Sequence, residues 1–377
     1  MPSRLHRRLI ALCVLALLCS QQSVFALLNI DGTRNQVFVF GSLTMAYDSN
    51  IFSSGSNEEG DYIYNASLGV ELKRRAGIIA VNAKAVFDRQ EFQRNKTQSA
   101  WNPTFYLEFN KTTGRTTGAI TINAFRSSRA DSAVNLRTQT WNFPLGLNIK
   151  YPINDKFYVT SSSGYLSRSY SDGSGLLNYT DYTESIDLLY VFTSKTDLSL
   201  VYRIRVGQTT LDTTIDQSLM FGLVNQIIPK VNGSLRAGIQ RRTIDRTNDT
   251  FTQLSLTADL TWTITRKLNV KGVAMRDFST TAVGGSVDTV ATQLNAAYDF
   301  SRKYQANGGI GYGRNLFLDG NTQGRRDDFF TWDVGLTVAW SEHLHASASY
   351  NYLHNWSTIS FSDFERTGYS LNISSRY

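Results

Sequence analysis

The stretch Arg366-Thr367-Gly368-Tyr369-Ser370-Leu371-Asn372-Ile373, running on to Tyr377, changes character at every step. Tyr369, Leu371, Ile373 and Tyr377 are apolar or aromatic, whereas Arg366, Gly368, Ser370, Asn372, Ser374 and Arg376 are polar or small. A period of two belongs to a β-strand, whose successive side chains point to opposite faces. One face here suits hydrocarbon and the other water, as in a strand of a transmembrane barrel. A soluble sandwich can also end on an aromatic strand, so the rest of the chain has to discriminate.

Moving outward from the C-terminus, the same alternation recurs and no helical stripe stands out. The pattern predicts strands near 36–49, 60–73, 76–92, 97–110, 114–128, 136–150, 156–170, 178–192 and 196–210. It continues near 214–228, 231–246, 250–264, 267–281, 288–301, 304–318, 327–341, 343–357 and 363–377. Eighteen is an even number, as a closed bacterial barrel requires, and sixteen is the alternative count. After every even-numbered strand the connection is short, as in Pro229-Lys230, Thr265-Arg266-Lys267 and Ser301-Arg302-Lys303. After most odd-numbered strands it is longer and rich in Gly, Ser, Asn and Asp, most clearly over 48–60, 171–178, 280–288 and 319–328. A sandwich or propeller has no reason to alternate loop lengths in this way. The fold class expected is therefore all-β, a transmembrane antiparallel up-and-down barrel.

Faces follow from parity. In 136–150, Trp141, Phe143, Leu145, Leu147 and Ile149 meet lipid while Asn142, Gly146, Asn148 and Lys150 point inward. In 327–341, Phe330, Trp332, Val334, Leu336, Val338 and Trp340 face out, with Asp333 and Thr337 inside. In 196–210, Leu198, Leu200, Tyr202, Ile204 and Val206 face out against Ser199, Arg203 and Arg205. A slip of one residue would place Arg203 in hydrocarbon at about 2–4 kcal/mol. Segments 156–170 and 304–318 alternate too poorly to fix a register. Trp101, Trp141, Trp332 and Trp356 fall near the long-loop ends and Trp262 and Trp340 near the short-turn ends, a two-belt distribution suited to headgroup level.

The first 26 residues read as a cleaved secretory signal: Arg4, Arg7 and Arg8, an apolar core from Leu9 to Leu18, and Val24-Phe25-Ala26 before a cleavage site. Residues 27–35 are then a short periplasmic segment and 36–377 the barrel. Both cysteines, Cys13 and Cys19, lie in the signal, so the mature chain forms no disulfide and has no thiolate ligand or nucleophile. Loss of three arginines takes the formal charge from +7 to +4, which gives no argument for nucleic acid. Beyond the signal no run of ~18 apolar residues occurs, so helical spans are not expected.

At Tyr47-Asp48-Ser49-Asn50-Ile51-Phe52, followed by Asp61-Tyr62-Ile63-Tyr64-Asn65-Ala66-Ser67-Leu68-Gly69-Val70, the chain resembles the putative β-barrel porin 2 family of bacterial outer membranes. The resemblance implies a porin-like barrel, in some members associated with exopolysaccharide export, and defines no catalytic residues. Asp48 and Asn50 read on their own as a loop-initiating turn. The C-terminal residues Arg366, Gly368, Leu371, Ile373 and Tyr377 are similar to the assembly signal of outer-membrane barrels. Expected partners are outer-membrane lipid and lipopolysaccharide, the barrel-assembly machinery and periplasmic polysaccharide-export proteins.

Candidate functional residues lie on the inward parity: Glu71, Lys84, Glu108, Arg203, Arg205, Arg236, Arg242, Asp259, Lys271, Asp299 and Asp333. Charges of both signs are expected to face a water-filled interior, where desolvation is small. Arg236, Asp259 and Lys271, on three successive strands at similar height, are the expected constriction, since rings of charge select ions in pores. An inward loop at 127–136 or 48–60 would narrow the pore further. The short turns carry thirteen basic residues (Lys73, Arg74, Arg75, Lys111, Arg115, Lys150, Lys156, Lys195, Lys230, Arg266, Lys267, Arg302 and Lys303) against Asp155, Asp197 and Glu342. Such a rim would concentrate anions. His343 and His345 flank a turn as His-x-His without a third ligand and read as a solvated turn; His354 has no serine or acid pattern around it. Neither an enzyme nor a cofactor is expected. The functional expectation is a channel for small hydrophilic solutes, with a polysaccharide export conduit or a non-conducting surface scaffold as alternatives.

Overall fold

The computed structural model describes residues 28–30, 35–75, 77–131, 136–171, 175–319 and 323–377. The signal-peptide reading falls outside them. A short strand, β1 (Leu28–Ile30), precedes eighteen long ones. These are β2 (Asn35–Asp48), β3 (Asp61–Arg74), β4 (Ala80–Phe92), β5 (Ala100–Lys111), β6 (Thr117–Asp131), β7 (Leu136–Pro152), β8 (Phe157–Tyr170), β9 (Tyr179–Val191) and β10 (Thr196–Thr209). There follow β11 (Thr213–Ile228), β12 (Val231–Ile244), β13 (Thr250–Thr263), β14 (Leu268–Thr280), β15 (Ser286–Asp299), β16 (Tyr304–Phe317), β17 (Arg326–Ala339), β18 (Leu344–Ser357) and β19 (Phe364–Arg376).

Each long strand pairs antiparallel with its sequence neighbours, and β19 returns to β2 from Gly368↔Asp48 to Arg376↔Phe40. Tyr377 completes that seam by exchanging both backbone hydrogen bonds with Val39, at 2.9 and 2.8 Å. The sheet therefore closes on itself, which removes unpaired edges that lipid could not satisfy. The expected eighteen strands are present, with ends shifted by a few residues. Leu28–Ile30 pairs with Asn35–Val37, on the same edge of β2 that β19 occupies higher up. No helix among the described residues is long and apolar enough to cross a membrane, which says nothing of strands.

Five of the short turns share one device. Asn154, Thr193, Thr265, Ser301 and Ser341 each accept the N–H of the residue two positions on, and four of the five also that three positions on. A small polar side chain replaces a main-chain acceptor and reverses the strand in a few residues.

Parity sorts the wall as the sequence does. Leu68, Leu200, Tyr202, Val334 and Leu371 lie exposed on the outer face, while Asn142, Ser199 and Arg242 are buried on the inner. The register of β8 explains why its sequence resisted reading. Ser163 lies opposite Leu147 and so shares the outer face with it. Glu184 of β9, opposite Ile204, stands on that face too, and Ser161 and Ser163 donate to its two carboxylate oxygens at 2.8 and 2.5 Å. In β16 the three central inner positions are Gly309, Gly311 and Gly313, so polarity could not mark them. Gly309 leaves room for Asp333, whose Oδ1 would lie 2.4 Å from a Cβ there.

Candidate functional site

Among the described residues, two chain segments enter the lumen at the long-loop end. The first begins where β2 stops. Asp48 accepts the N–H of Asn50 at 3.1 Å and forms a two-pronged ion pair with Arg366 at 2.9 and 2.5 Å. Asn50, fully buried, donates to the carbonyl of Ser54 and accepts the Ser54 N–H. This turns the chain inward and drives Ile51 against Ile63 and Phe92 on the inner face of β3 and β4. Arg137 of β7 stacks 4.7 Å from the Phe92 ring and donates to the Ile51 carbonyl at 3.4 Å. The turn expected at Asp48 and Asn50 is therefore present, and the 48–60 segment is an inward loop. The other expected inward loop, 127–136, includes residues outside the described ones.

The second segment was not expected. Strand β14 pairs with β15 as far as Thr280↔Ser286, but its ladder with β13 ends at Leu256↔Arg276. Beyond Arg276 β14 parts from β13, and the end of the hairpin bends to the inner side of the wall while β15 stays paired with β16 as far as Val287↔Phe317. Phe278, on the outward parity of β14, is 2% exposed and sits 5.1 Å beneath the guanidinium of Arg242, an inward residue of β12. Arg276, also on the outward parity, pairs with Asp288 at 2.8 Å and donates to Gln253 of the β13 inner face. At the tip, the Ala282 carbonyl accepts the Leu177 N–H at 2.8 Å.

The hairpin meets a wall of alternating charge. Arg205, Asp216 and Arg242 lie directly opposite one another on β10, β11 and β12. Asp216 accepts from Arg205 at 2.8 and 2.5 Å and from Arg242 at 2.6 and 2.8 Å. Arg203 and Arg205 then reach Asp277 of β14, at 2.8 and 3.3 Å. Arg205 also donates to the Phe278 carbonyl at 2.6 Å, and Arg242 to the Ser279 carbonyl at 2.7 Å. Four strand spacings separate β10 from β14 along the sheet, about 19 Å. An arginine closes that distance only because the hairpin folds inward.

These contacts revise the expectation for Arg203, Arg205 and Arg242. They face inward, but as members of a packed ion-pair network rather than as charges in open water. Arg236 joins Asp187 at 2.9 Å and Ser199 at 3.0 Å, toward β9 and β10. Lys271 pairs instead with Asp259, at 3.0 Å, both half-exposed. The three-residue constriction of Arg236, Asp259 and Lys271 therefore divides into two separate pairs. Lys84 lies opposite Glu71 and over the Phe40 ring at 4.8 Å, while Glu71 is held by Arg376 at 2.6 Å. Asp299 accepts the Gln305 amide at 2.8 Å near the short-turn end.

Two further readings change. Asp197 does not offset the basic rim: it is buried on the inner wall, bonded by Tyr158 and Asn225 at 2.5 Å each. His343 is not a solvated turn residue: it is buried, stacks on Tyr377 at 4.7 Å, and its Nδ1 lies 2.7 Å from the Arg376 carbonyl. The residues sequence reasoning missed are Asp277 and the hairpin that carries it. A signal was present, because Arg276 and Asp288 occupy lipid-facing parity on adjacent strands where no charge belongs.

The geometry defines a class: a closed eighteen-strand antiparallel barrel with an apolar exterior and an ion-paired interior. Residues 218–377, from within β11 to the C-terminus, match the model of the family described as "Putative beta-barrel porin 2". The Tyr47–Phe52 motif lies outside the matched residues. Among solved structures, the chain is similar to the outer membrane protein OpdK of Pseudomonas aeruginosa, with 13% identity, a TM-score of 0.52, and coverage of 91% of this chain and 99% of that one. OpdK of the same organism with vanillate gives 12%, 0.51, 90% and 99%. OpdO of the same organism gives 11%, 0.50, 91% and 97%. At such identities the likeness is one of fold. No curated protein matches the chain.

Proposed function

We propose that the protein is an outer-membrane porin-like channel for passive passage of small hydrophilic solutes through a charge-lined lumen. What carries this reading is the closed ring of eighteen strands with polar and ionised side chains on its inner face. A barrel of that strand number encloses more space than side chains fill. With the closing seam beside both the short turns and Tyr377, the short-turn end is read as periplasmic and the long-loop end as the cell surface. The C-terminal strand supports recognition by the assembly machinery: Leu371 and Tyr369 are presented outward and Arg366 inward.

Conductance of the refolded protein in a planar lipid bilayer tests the reading, with heat-modifiable gel mobility as the control for folding. Current steps absent from protein-free membranes are expected. A folded barrel that never conducts, with and without its inward hairpin, would overturn it.

A second reading, a conduit for an anionic exopolysaccharide fed by periplasmic export proteins, draws support from the basic short-turn rim. Lys111, Lys230 and Lys267 donate to the carbonyls of Thr116, Ile264 and Phe300 rather than to carboxylates, so they keep charge to offer. Loss of surface polysaccharide on deletion of the gene, without loss of small-solute uptake, would select it over the first.

A further inference from the structure

The inward bend of β14 leaves a mark on the outside of the wall. By parity Arg276 and Phe278 belong to the lipid-facing side, but Phe278 is buried beneath Arg242 and Arg276 turns to Gln253. Near the bend, the outer face of β14 keeps only Gly272 and Ala274. Strand pairing sets Ala274 between Ala258 of β13 and Thr292 of β15, so three small side chains stand in one row. The next residue along that row is Tyr312 of β16. The result is an open groove of about 460 Å³, floored by Ala258, Gly272, Ala274 and Thr292 and walled by the exposed side chains of Leu294 and Tyr312.

One row nearer the long-loop end, the same face turns basic. Arg314 lies two residues beyond Tyr312 on β16, a step of ~7 Å along the strand. Arg314 and Arg326 share the carboxylate of Asp328, at 2.6 and 3.0 Å. Two guanidiniums on one carboxylate leave a positive charge in excess, and their side chains are 47% and 52% exposed. The neighbouring Arg276 and Asp288 cancel each other at 2.8 Å. Tyr312 ties the two levels together: its ring lines the groove and its hydroxyl donates to Asp328 at 3.1 Å. A cationic rim directly above an apolar groove complements an anionic headgroup above an acyl chain. Guanidinium forks match the oxygens of a phosphate in particular. The long-loop end is read as the cell surface, so the lipid at this height belongs to the outer leaflet.

We propose that the outer face of β13–β17 is a docking site for lipopolysaccharide, with a lipid phosphate on Arg314 and Arg326 and an acyl chain in the groove beneath them. Lipopolysaccharide is the outer-leaflet lipid whose anchor carries phosphates beside its chains. The bend that brings Asp277 into the lumen also opens the groove outside. The inference goes beyond the channel reading and takes from it only the assignment of the long-loop end to the cell surface.

The test titrates the refolded full-length mature protein, in a neutral detergent, with purified diphosphoryl lipid A and reads bound lipid by native mass spectrometry. Heat-modifiable gel mobility is the control for folding. Conductance plays no part, so failure here leaves the channel reading standing. Wild type should retain lipid A in the presence of excess phosphatidylethanolamine. Arg314→Gln/Arg326→Gln should weaken binding roughly ten- to a hundredfold through loss of charge-assisted hydrogen bonds. Ala274→Phe, which fills the groove and keeps both arginines, should also lose the retained lipid. Changing the lipid covers a variant that fails to fold: dephosphorylated lipid A should bind wild type as weakly as diphosphoryl lipid A binds the double variant. Retention indifferent to the phosphates, to the arginines and to Ala274→Phe would overturn the site. Phosphatidylglycerol held as tightly as lipid A would overturn the assignment to lipopolysaccharide and make a phospholipid the occupant. Lipid-free barrels that pair as dimers, and separate on Ala274→Phe, would overturn it in favour of a second copy of the chain.

Discussion

Removing the Asp216 carboxylate is the most informative single perturbation of the barrel wall. Asp216 and Arg242 are 3% and 1% exposed at their side chains, and Arg205 is 16% exposed. The carboxylate accepts four guanidinium N–H groups, two from each neighbouring strand. Asp216→Ala would strand two guanidiniums against each other with no intervening anion, and Arg242 has no route to water. Breaking a buried pair by deleting one member costs about 3–5 kcal/mol, because the charge left behind is uncompensated. Asp277 could relieve Arg205 in part, which argues for the lower half of that range. The assay is urea unfolding in lipid vesicles, followed by tryptophan emission and gel mobility. The midpoint should fall with the slope unchanged, since the slope reports surface exposed rather than a single contact. Asp216→Leu combined with Arg242→Met should recover most of the loss, because a packed apolar replacement removes both desolvation costs. A loss of under ~1 kcal/mol for Asp216→Ala would refute the reasoning and mean that water reaches this network.

Further outcomes follow from the same geometry. Leu371→Arg, on the exposed outer face of β19 near mid-strand, should lower folding stability by about 2–4 kcal/mol, while Asn372→Arg on the inner face should change it little; equal effects in vesicle refolding would mean the parity is wrong. Glu184→Leu should leave refolding yield equal or higher, since it takes a carboxylate off the lipid-facing wall, and a marked fall would show that Glu184 contacts something other than lipid. Ile51→Ala should loosen the first inward segment at a cost of about 2–4 kcal/mol to its docking, read as new protease cleavage within 53–59 on an otherwise intact barrel.

Strand number, ends and faces were legible in the sequence because a membrane wall imposes a strict rule. Every second residue must be apolar, and one misplaced residue inverts a whole strand. Where the rule was blurred, the cause can be named. Serines at 161 and 163 occupy outer positions because they serve Glu184, and glycines at 309, 311 and 313 occupy inner ones. The inward turn at Asp48 and Asn50 was legible as well, since small polar side chains at a strand end bond their own backbone.

Partnership across the lumen was not legible. Arg203 and Asp277 are 74 residues apart and four strands distant, and no local pattern says that a hairpin doubles inward to join them. Arg236, Asp259 and Lys271 follow one another in strand order, yet Arg236 turns to Asp187 while Asp259 and Lys271 pair with each other. The sequence alone determined a period-two chain of eighteen strands, with one side for lipid and one for polar groups, because each residue obeys that rule locally. Only the tertiary structure decided which interior charges are paired, and that a hairpin occupies the lumen. Those outcomes depend on the curvature of a closed wall and on side chains meeting through space.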